Sequence, residues 1–161
     1  KYLSADPKLR LSWAGPTMSA RSSITARQME TWAHGQEIFD CLGVVREEGD
    51  QIKNIVHLGV STFAWTFLNR QLDLPKEVPY VSLILPSGAP ITYNQESNLN
   101  FVSGSAVEFA QVVTQTRNVK DTSLTVKGVV AETWMSLAQC FAGKAEDPPA
   151  KGQRHRVDLP K

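Results

Sequence analysis

Apolar positions recur along this chain with two different periods, and the change between them divides it. From about Ser23 to Leu42, Ile24, Thr31, Ile38 and Leu42 recur at helical spacing and predict the buried face of an amphipathic helix. Ser19, Ser22 or Ser23 offers the N-cap oxygen, and Gly43 stands where a left-handed cap ends a helix. Gly35 weakens the element from within, which predicts that another helix approaches there. After a charged turn, Asp50 caps a second predicted helix from about Gln51 to Arg70. Ile52, Ile55, Val56, Val60, Phe63, Phe67 and Leu68 make that helix apolar over more than half its circumference. So apolar a helix needs cover on several sides, as in a bundle of four, and two helices cannot supply it alone. Partner helices are therefore expected beyond these two.

The period then shortens. Leu72–Pro79 reads as a linker, Tyr80–Leu85 as a strand, Pro86-Ser87-Gly88 as a turn, and Ile91–Asn94 and Leu99–Val102 as two further strands. Gly104-Ser105 starts a helix in which Ala106, Phe109, Ala110 and Val113 are apolar at helical spacing. Leu124–Lys127 is a strand ending at Gly128, and a last helix spans about Val130 to Phe141, burying Trp134, with Gly143 as its stop. Strand-strand-strand-helix-strand-helix predicts an α+β module with helices on one face of a small mixed sheet. The expected organisation is a helical segment over 1–71, the α+β domain over 72–143 and a flexible tail over 144–161. Before the first helix, 1–17 reads as an irregular approach with Trp13 as a core anchor.

Charge narrows the function classes. The net charge is +1 with acids and bases interspersed, which points to neither a nucleic-acid surface nor a polybasic membrane contact. The basic cluster Lys151–Arg156 sits among Pro and Gly and reads as solvated tail. No apolar run is long enough for a transmembrane helix, and no signal-peptide pattern is present. Two cysteines, Cys41 and Cys140, make no disulfide scaffold, so a cytoplasmic setting is expected and both read as small core residues. The opening at Lys1, without Met, reads as a join inside a longer protein.

Candidate chemistry concentrates on the first helix. Glu30 and His34 are spaced i, i+4, so both side chains leave one face about a turn apart. A carboxylate oxygen and an imidazole nitrogen so placed can hold one divalent metal, most simply zinc, or can form a surface ion pair. Arg27, Glu37 and Cys41 extend the stripe. Arg27 is either a clamp for an anionic thiol or carboxylate, or a partner of Glu30. Glu37 orients His34, acts as a base, or is a solvated acid. His57, within the apolar second helix, is either a hydrogen-bonded core residue or the first candidate for a third ligand. Arg117, after the third helix, either binds an anionic substrate between the modules or answers the helix dipole. No nucleophile elbow, phosphate loop, dinucleotide fingerprint, Cys-x-x-Cys pair or His-Glu-x-x-His helix is present.

Met18-Ser-Ala-Arg21 and Met29-Glu-Thr-Trp-Ala-His-Gly-Gln-Glu-Ile38 resemble the third helix, with its approach, of the mycothiol-dependent maleylpyruvate isomerase family. Trp13-Ala-Gly-Pro-x-Met-Ser resembles the family's loop into that helix, and Phe101-Val-x-Gly-Ser-Ala and Leu124-x-Val-x-Gly resemble its C-terminal domain. The resemblance covers about residues 10 to 143. It implies a partial DinB-like four-helix bundle followed by a sterol-carrier-like α+β domain, with Glu30 and His34 as two of three metal ligands. The third, a histidine, would lie on an earlier helix outside this sequence, supplied by an N-terminal companion segment. It further implies a metal-bound low-molecular-weight thiol such as mycothiol, used in isomerisation or transfer on a small anionic or electrophilic molecule. A metal-dependent hydrolase on the same scaffold, or a non-catalytic small-molecule binding or interaction module, remains the alternative. A homodimer is a further expectation.

Overall fold

Ser19 ends a short antiparallel pair, β1 (Arg10–Leu11) with β2 (Met18–Ser19), and starts the longest helix, α1 (Ala20–Cys41). Its hydroxyl accepts the Ser22 N–H at 3.1 Å, satisfying one orphan donor of the first turn. At the other end Gly43 takes φ +63°; its N–H and that of Val44 return to the carbonyls of Asp40 and Phe39, which closes the helix in a Schellman motif. The structure, a computed structural model, describes residues 6, 8–11 and 18–154. Trp13 lies outside the described residues.

The buried side of α1 is not the expected one. Met29, Trp32, Gln36 and Asp40 face inward, whereas Ile24, Ile38 and Leu42 are about half exposed and Thr31 is exposed. Both stripes fit a helical period, and the one carrying Met29 and Trp32 meets the core. Nor is Gly35 the seat of another helix. The Arg46 guanidinium lies over it, so that a Cβ there would stand 3.2 Å from Nη1, and Nη1 donates to the Trp32 carbonyl at 2.9 Å.

The second predicted helix is broken into a 3-10 turn (Asp50–Ile52), α2 (Lys53–Ser61) and α3 (Phe63–Leu68). At the break, the Thr62 hydroxyl donates to the Leu58 and Gly59 carbonyls at 2.8 and 3.0 Å, a back-bond that bends helices. Asp50 does not cap. Its Oδ1 accepts the Ser87 N–H at 3.0 Å and so ties this turn to the hairpin turn.

Next come β3 (Tyr80–Ile84), β4 (Pro90–Tyr93), β5 (Phe101–Ser105), α4 (Ala106–Val113), β6 (Thr125–Lys127) and α5 (Val129–Leu137). The sheet order is β4-β3-β5-β6, with β3 and β5 parallel and the other pairs antiparallel. The class is thus α+β, with a small mixed sheet as expected. β5 runs later than the predicted Leu99–Val102 because its parallel pairing with β3 continues from Phe101 to Ser105. Val81, Leu83 and Val102 point to the helices and are fully buried, while Ser82, Ser103 and Thr125 on the other face are not.

One apolar cluster joins Met29 and Trp32 of α1, Ile55, Val56 and Phe67 of α2 and α3, and the inner face of the sheet. Segments 1–71 and 72–143 therefore share a core. Part of the broad apolar surface of the second predicted helix is covered by α4 and α5, while Leu68 stays exposed. Gly59 makes this possible: a Cβ there would stand 2.7 Å from Val113 Cγ2, so α2 and α4 touch across a bare backbone.

Candidate functional site

Glu30 Oε2 and His34 Nε2 are 3.6 Å apart, and His34 Nδ1 is 3.6 Å from Glu37 Oε2. The imidazole thus sits between two carboxylates on successive turns of α1. Two donors about 2.1 Å from one tetrahedral ion stand roughly 3.4 Å apart, so the Glu30–His34 spacing suits one shared ion. Glu37 meets the opposite ring nitrogen and cannot converge on the same point; it is placed to orient the ring. Among the described residues no group of three or more His, Cys, Asp or Glu side chains comes together as a metal site. His34 is three-quarters exposed and Glu30 about half.

This face opens into a cleft of about 390 Å³. Met29, Glu30, Ala33, His34 and Glu37 of α1 form one wall, and Thr114–Thr116 after α4 with Phe141 form the second. The third is the segment from Glu146 to Arg154. Phe141 reaches the cleft because α5 stops at Leu137, earlier than its apolar pattern predicts. The chain then crosses behind α3, where Cys140 N–H donates to the Val113 carbonyl at 2.9 Å and Trp65 Nε1 to the Phe141 carbonyl at 3.1 Å.

Residues 144–154, expected from composition to be flexible, are laid on the protein by side-chain amides. Gln139, almost fully buried, donates to the Lys144 carbonyl at 2.9 Å and accepts the Glu146 N–H at 3.0 Å. Gln115 donates to the Glu146 carbonyl at 2.8 Å and Asn118 to that of Pro149 at 2.8 Å. Arg70 pairs with Asp147, also at 2.8 Å. This strap carries Arg154 to Glu37, with which it forms an ion pair. Arg154 is the cleft residue that sequence reasoning missed; it is 117 positions from its partner, and no local pattern links them.

The other candidates fall elsewhere. Arg27 is exposed and lines a separate groove with Ile24, Thr31, Trp32 and Arg46. His57 is exposed rather than in the core; it lies 3.5 Å from the Ser61 hydroxyl, stacks loosely near Tyr93, and does not join Glu30 and His34. Arg117 does not line the cleft. It is buried and bonded to Asp40 at 2.8 Å, so its charge is answered inside the protein. Cys41 is exposed, in contrast to its predicted core position, and Cys140 is buried. Among the described residues no helix is long and apolar enough to cross a membrane.

Two curated proteins of Mycobacterium tuberculosis, from strains CDC 1551 and H37Rv, are each 40% identical to this chain over 144 residues. Both are described as uncharacterized. The match covers 89% of this chain and 54% of each relative, so the chain spans about half the length of the curated relatives it matches. No family model matches the chain, and no solved structure matches it.

The electrostatics of α1 separate its two flanks. On the cleft side, burial raises the Glu37 pKa, but the Arg154 hydrogen bond and charge, with His34 adding to them, outweigh it and hold the carboxyl below its ordinary range. Burial, reinforced by the nearby Glu30 carboxylate, pushes the Cys140 thiol far up, so it stays protonated and inert. On the opposite flank, Glu48 accepts from Trp32 Nε1 at 2.9 Å and meets Arg46 at 3.2 Å. Burial nonetheless raises its pKa, against the lowering effect of these partners. A carboxyl whose folded pKa lies above its unfolded one binds more protons when folded, so its contribution to stability falls as pH rises through that window. Glu48→Gln removes this term. Urea unfolding from pH 4 to pH 7 should show the variant gaining on the parent as pH rises; a constant or reversed difference would exclude a raised Glu48.

Proposed function

We propose that the cleft is the metal-binding half of a thiol-using isomerase or transferase. In this reading 1–71 belongs to a DinB-like bundle and 72–143 to a sterol-carrier-like domain, in a cytoplasmic protein resembling the mycothiol-dependent maleylpyruvate isomerases. The observation that carries the reading is the Glu30–His34 pair, at a separation one ion can bridge, on the wall of a cleft large enough for a small molecule. Glu30 and His34 would hold a divalent ion, most simply zinc, and the chemistry such an ion would supply is a lowered thiol pKa, giving a nucleophile at neutral pH.

The chain's own residues supply the rest. Glu37, against His34 Nδ1, holds the ring so that Nε2 faces Glu30. Arg154 steadies Glu37 and offers a planar donor fork to an anionic substrate or thiol carboxylate entering between α1 and the strap. Met29 and Phe141 add apolar surface to the two walls of the cleft. Catalytic zinc ordinarily takes three protein donors, and Glu30 and His34 account for two.

The test is zinc affinity, by competition with a chromogenic chelator, on the polypeptide encoded by the complete open reading frame. Glu30→Ala and His34→Ala should abolish tight binding, and Glu37→Gln should weaken it by about 10–100-fold, the usual cost of losing an outer partner of a ligating histidine. Equal affinity in all four proteins would exclude the site. A second reading, a binding module without chemistry, is favoured by one observation: Glu37 is already paired with Arg154 and needs no metal. That reading expects no zinc-dependent difference among the variants.

A further inference from the structure

The strap that forms the third wall of the cleft is held in two different ways along its length. Its first part, 144–149, is fixed by neutral side chains. Gln139 bonds to Lys144 and Glu146, Gln115 to Glu146, and Asn118 to Pro149. Gln115 and Gln139 lie almost wholly inside the protein, so lifting this part would leave buried amides short of partners, which is costly. Residues 150–154 are different. They close on themselves: the Gln153 N–H donates to the Ala150 carbonyl at 3.1 Å, and Gln153 Oε1 accepts the Ala150 N–H at 3.2 Å. Gly152 makes the turn at φ +83°. Residues 150–153 are exposed and Arg154 is partly so, and this arm adds nothing to the core. Carboxylates of the body reach out to it instead. Asp121 Oδ2 accepts the Gly152 N–H at 2.7 Å, and Glu37 pairs with Arg154. Both side chains of that ion pair are about two-fifths exposed, so salt screens it and it holds weakly.

We propose that 150–154 is a hinged lid on the cleft, latched shut by Glu37 and Asp121 and closed in this structure. The hinge follows Pro149, whose carbonyl takes the last neutral anchor, from Asn118. Gln153 and Arg154 line the cleft together with Ala33, His34 and Glu37, and the Arg154 guanidinium crosses from the strap to α1. Swinging the arm away breaks the two contacts to carboxylates and leaves every buried amide of the base satisfied. It uncovers Glu37 and the Nδ1 side of His34. Segments that open in this way are drawn from the least stable part of a fold, where polar surface contacts outweigh apolar burial. The lid needs the cleft but no metal within it, so it stands or falls apart from the metal reading.

Dilute trypsin cuts in proportion to the population of an open form, and Lys151 in the arm and Lys144 in the base report the two parts separately. The experiment uses the polypeptide from the complete open reading frame, with a chelator present. Glu37→Gln and Arg154→Gln should each speed cleavage after Lys151 by about tenfold and leave cleavage after Lys144 unchanged. Raising sodium chloride from about 50 to about 500 mM should speed Lys151 cleavage more in the parent than in either variant, because their latch is already gone. Access to the cleft is read by maleimide labelling of Ala33→Cys in a Cys41→Ser background, which should quicken when Arg154→Gln is added. Lys151 cleavage that is the same in parent and variants would overturn the latch. Faster cleavage at both lysines would overturn the hinge, and an unchanged Ala33→Cys labelling rate would overturn the lid.

Discussion

Replacing Asp40 with alanine is expected to destabilise the protein by about 3–5 kcal/mol, as removing one partner of a buried ion pair does. Asp40 and Arg117 are each about nine-tenths buried and joined at 2.8 Å, and Gln36 donates to the same carboxylate oxygen at 2.9 Å. The pair links the last turn of α1 to the chain leaving α4. Asp40 Oδ2 and Arg117 Nη1 have no protein partner, so the geometry is not saturated and the pair itself adds little net stability. The cost of Asp40→Ala is therefore the cost of a guanidinium left buried and alone. The double variant Asp40→Leu with Arg117→Met should recover most of the loss, since an apolar pair of similar volume does as well as an imperfect ion pair. Urea denaturation of both proteins checks this. A double variant as unstable as Asp40→Ala would show that the charges matter for more than answering each other.

Trp134→Ala should cost a similar amount, about 3–5 kcal/mol, for a different reason. Trp134 is almost completely buried at the centre of the cluster. Phe63 of α3 meets its ring edge-on at 5.2 Å between centroids, and Phe109 of α4 does so at 5.7 Å. Phe63 in turn packs on Phe67 at 5.1 Å. Deleting the indole removes the shared wall of α3, α4 and α5 and leaves a cavity that three helices cannot close without shifting. Trp134→Phe keeps most of the contact and should lose much less. Thermal unfolding separates the two; equal losses would mean that the indole is not the shared packing element.

These expectations show where the sequence was informative. The extent of α1 was readable because its signals are local: a serine at one end, a glycine at the other and a helical period between. Which side of α1 is buried was not readable. The helix carries apolar residues on two sides, and only the tertiary fold chooses the side with Met29 and Trp32. The break at Thr62 depends on a hydroxyl back-bond, and the span of β5 depends on its partner strand; neither has a periodic signature. At the candidate site, Glu30, His34 and Glu37 stand out because helical spacing places them together. The strap does not, since its order comes from the buried amides of Gln115 and Gln139 taking main-chain partners 5 to 31 residues away. Arg154 enters the cleft only as a consequence of that strap.

The Glu30–His34 metal site is the claim on which the functional reading turns, and metal content tests it most directly. Elemental analysis of the protein from the complete open reading frame, purified without chelator or added metal, should give about one divalent ion per chain, the stoichiometry of a single catalytic site. Glu30→Ala and His34→Ala, folded by circular dichroism, should each lose it. Metal content that neither substitution changes, or a parent protein that takes up no metal even when zinc is supplied, would contradict the account.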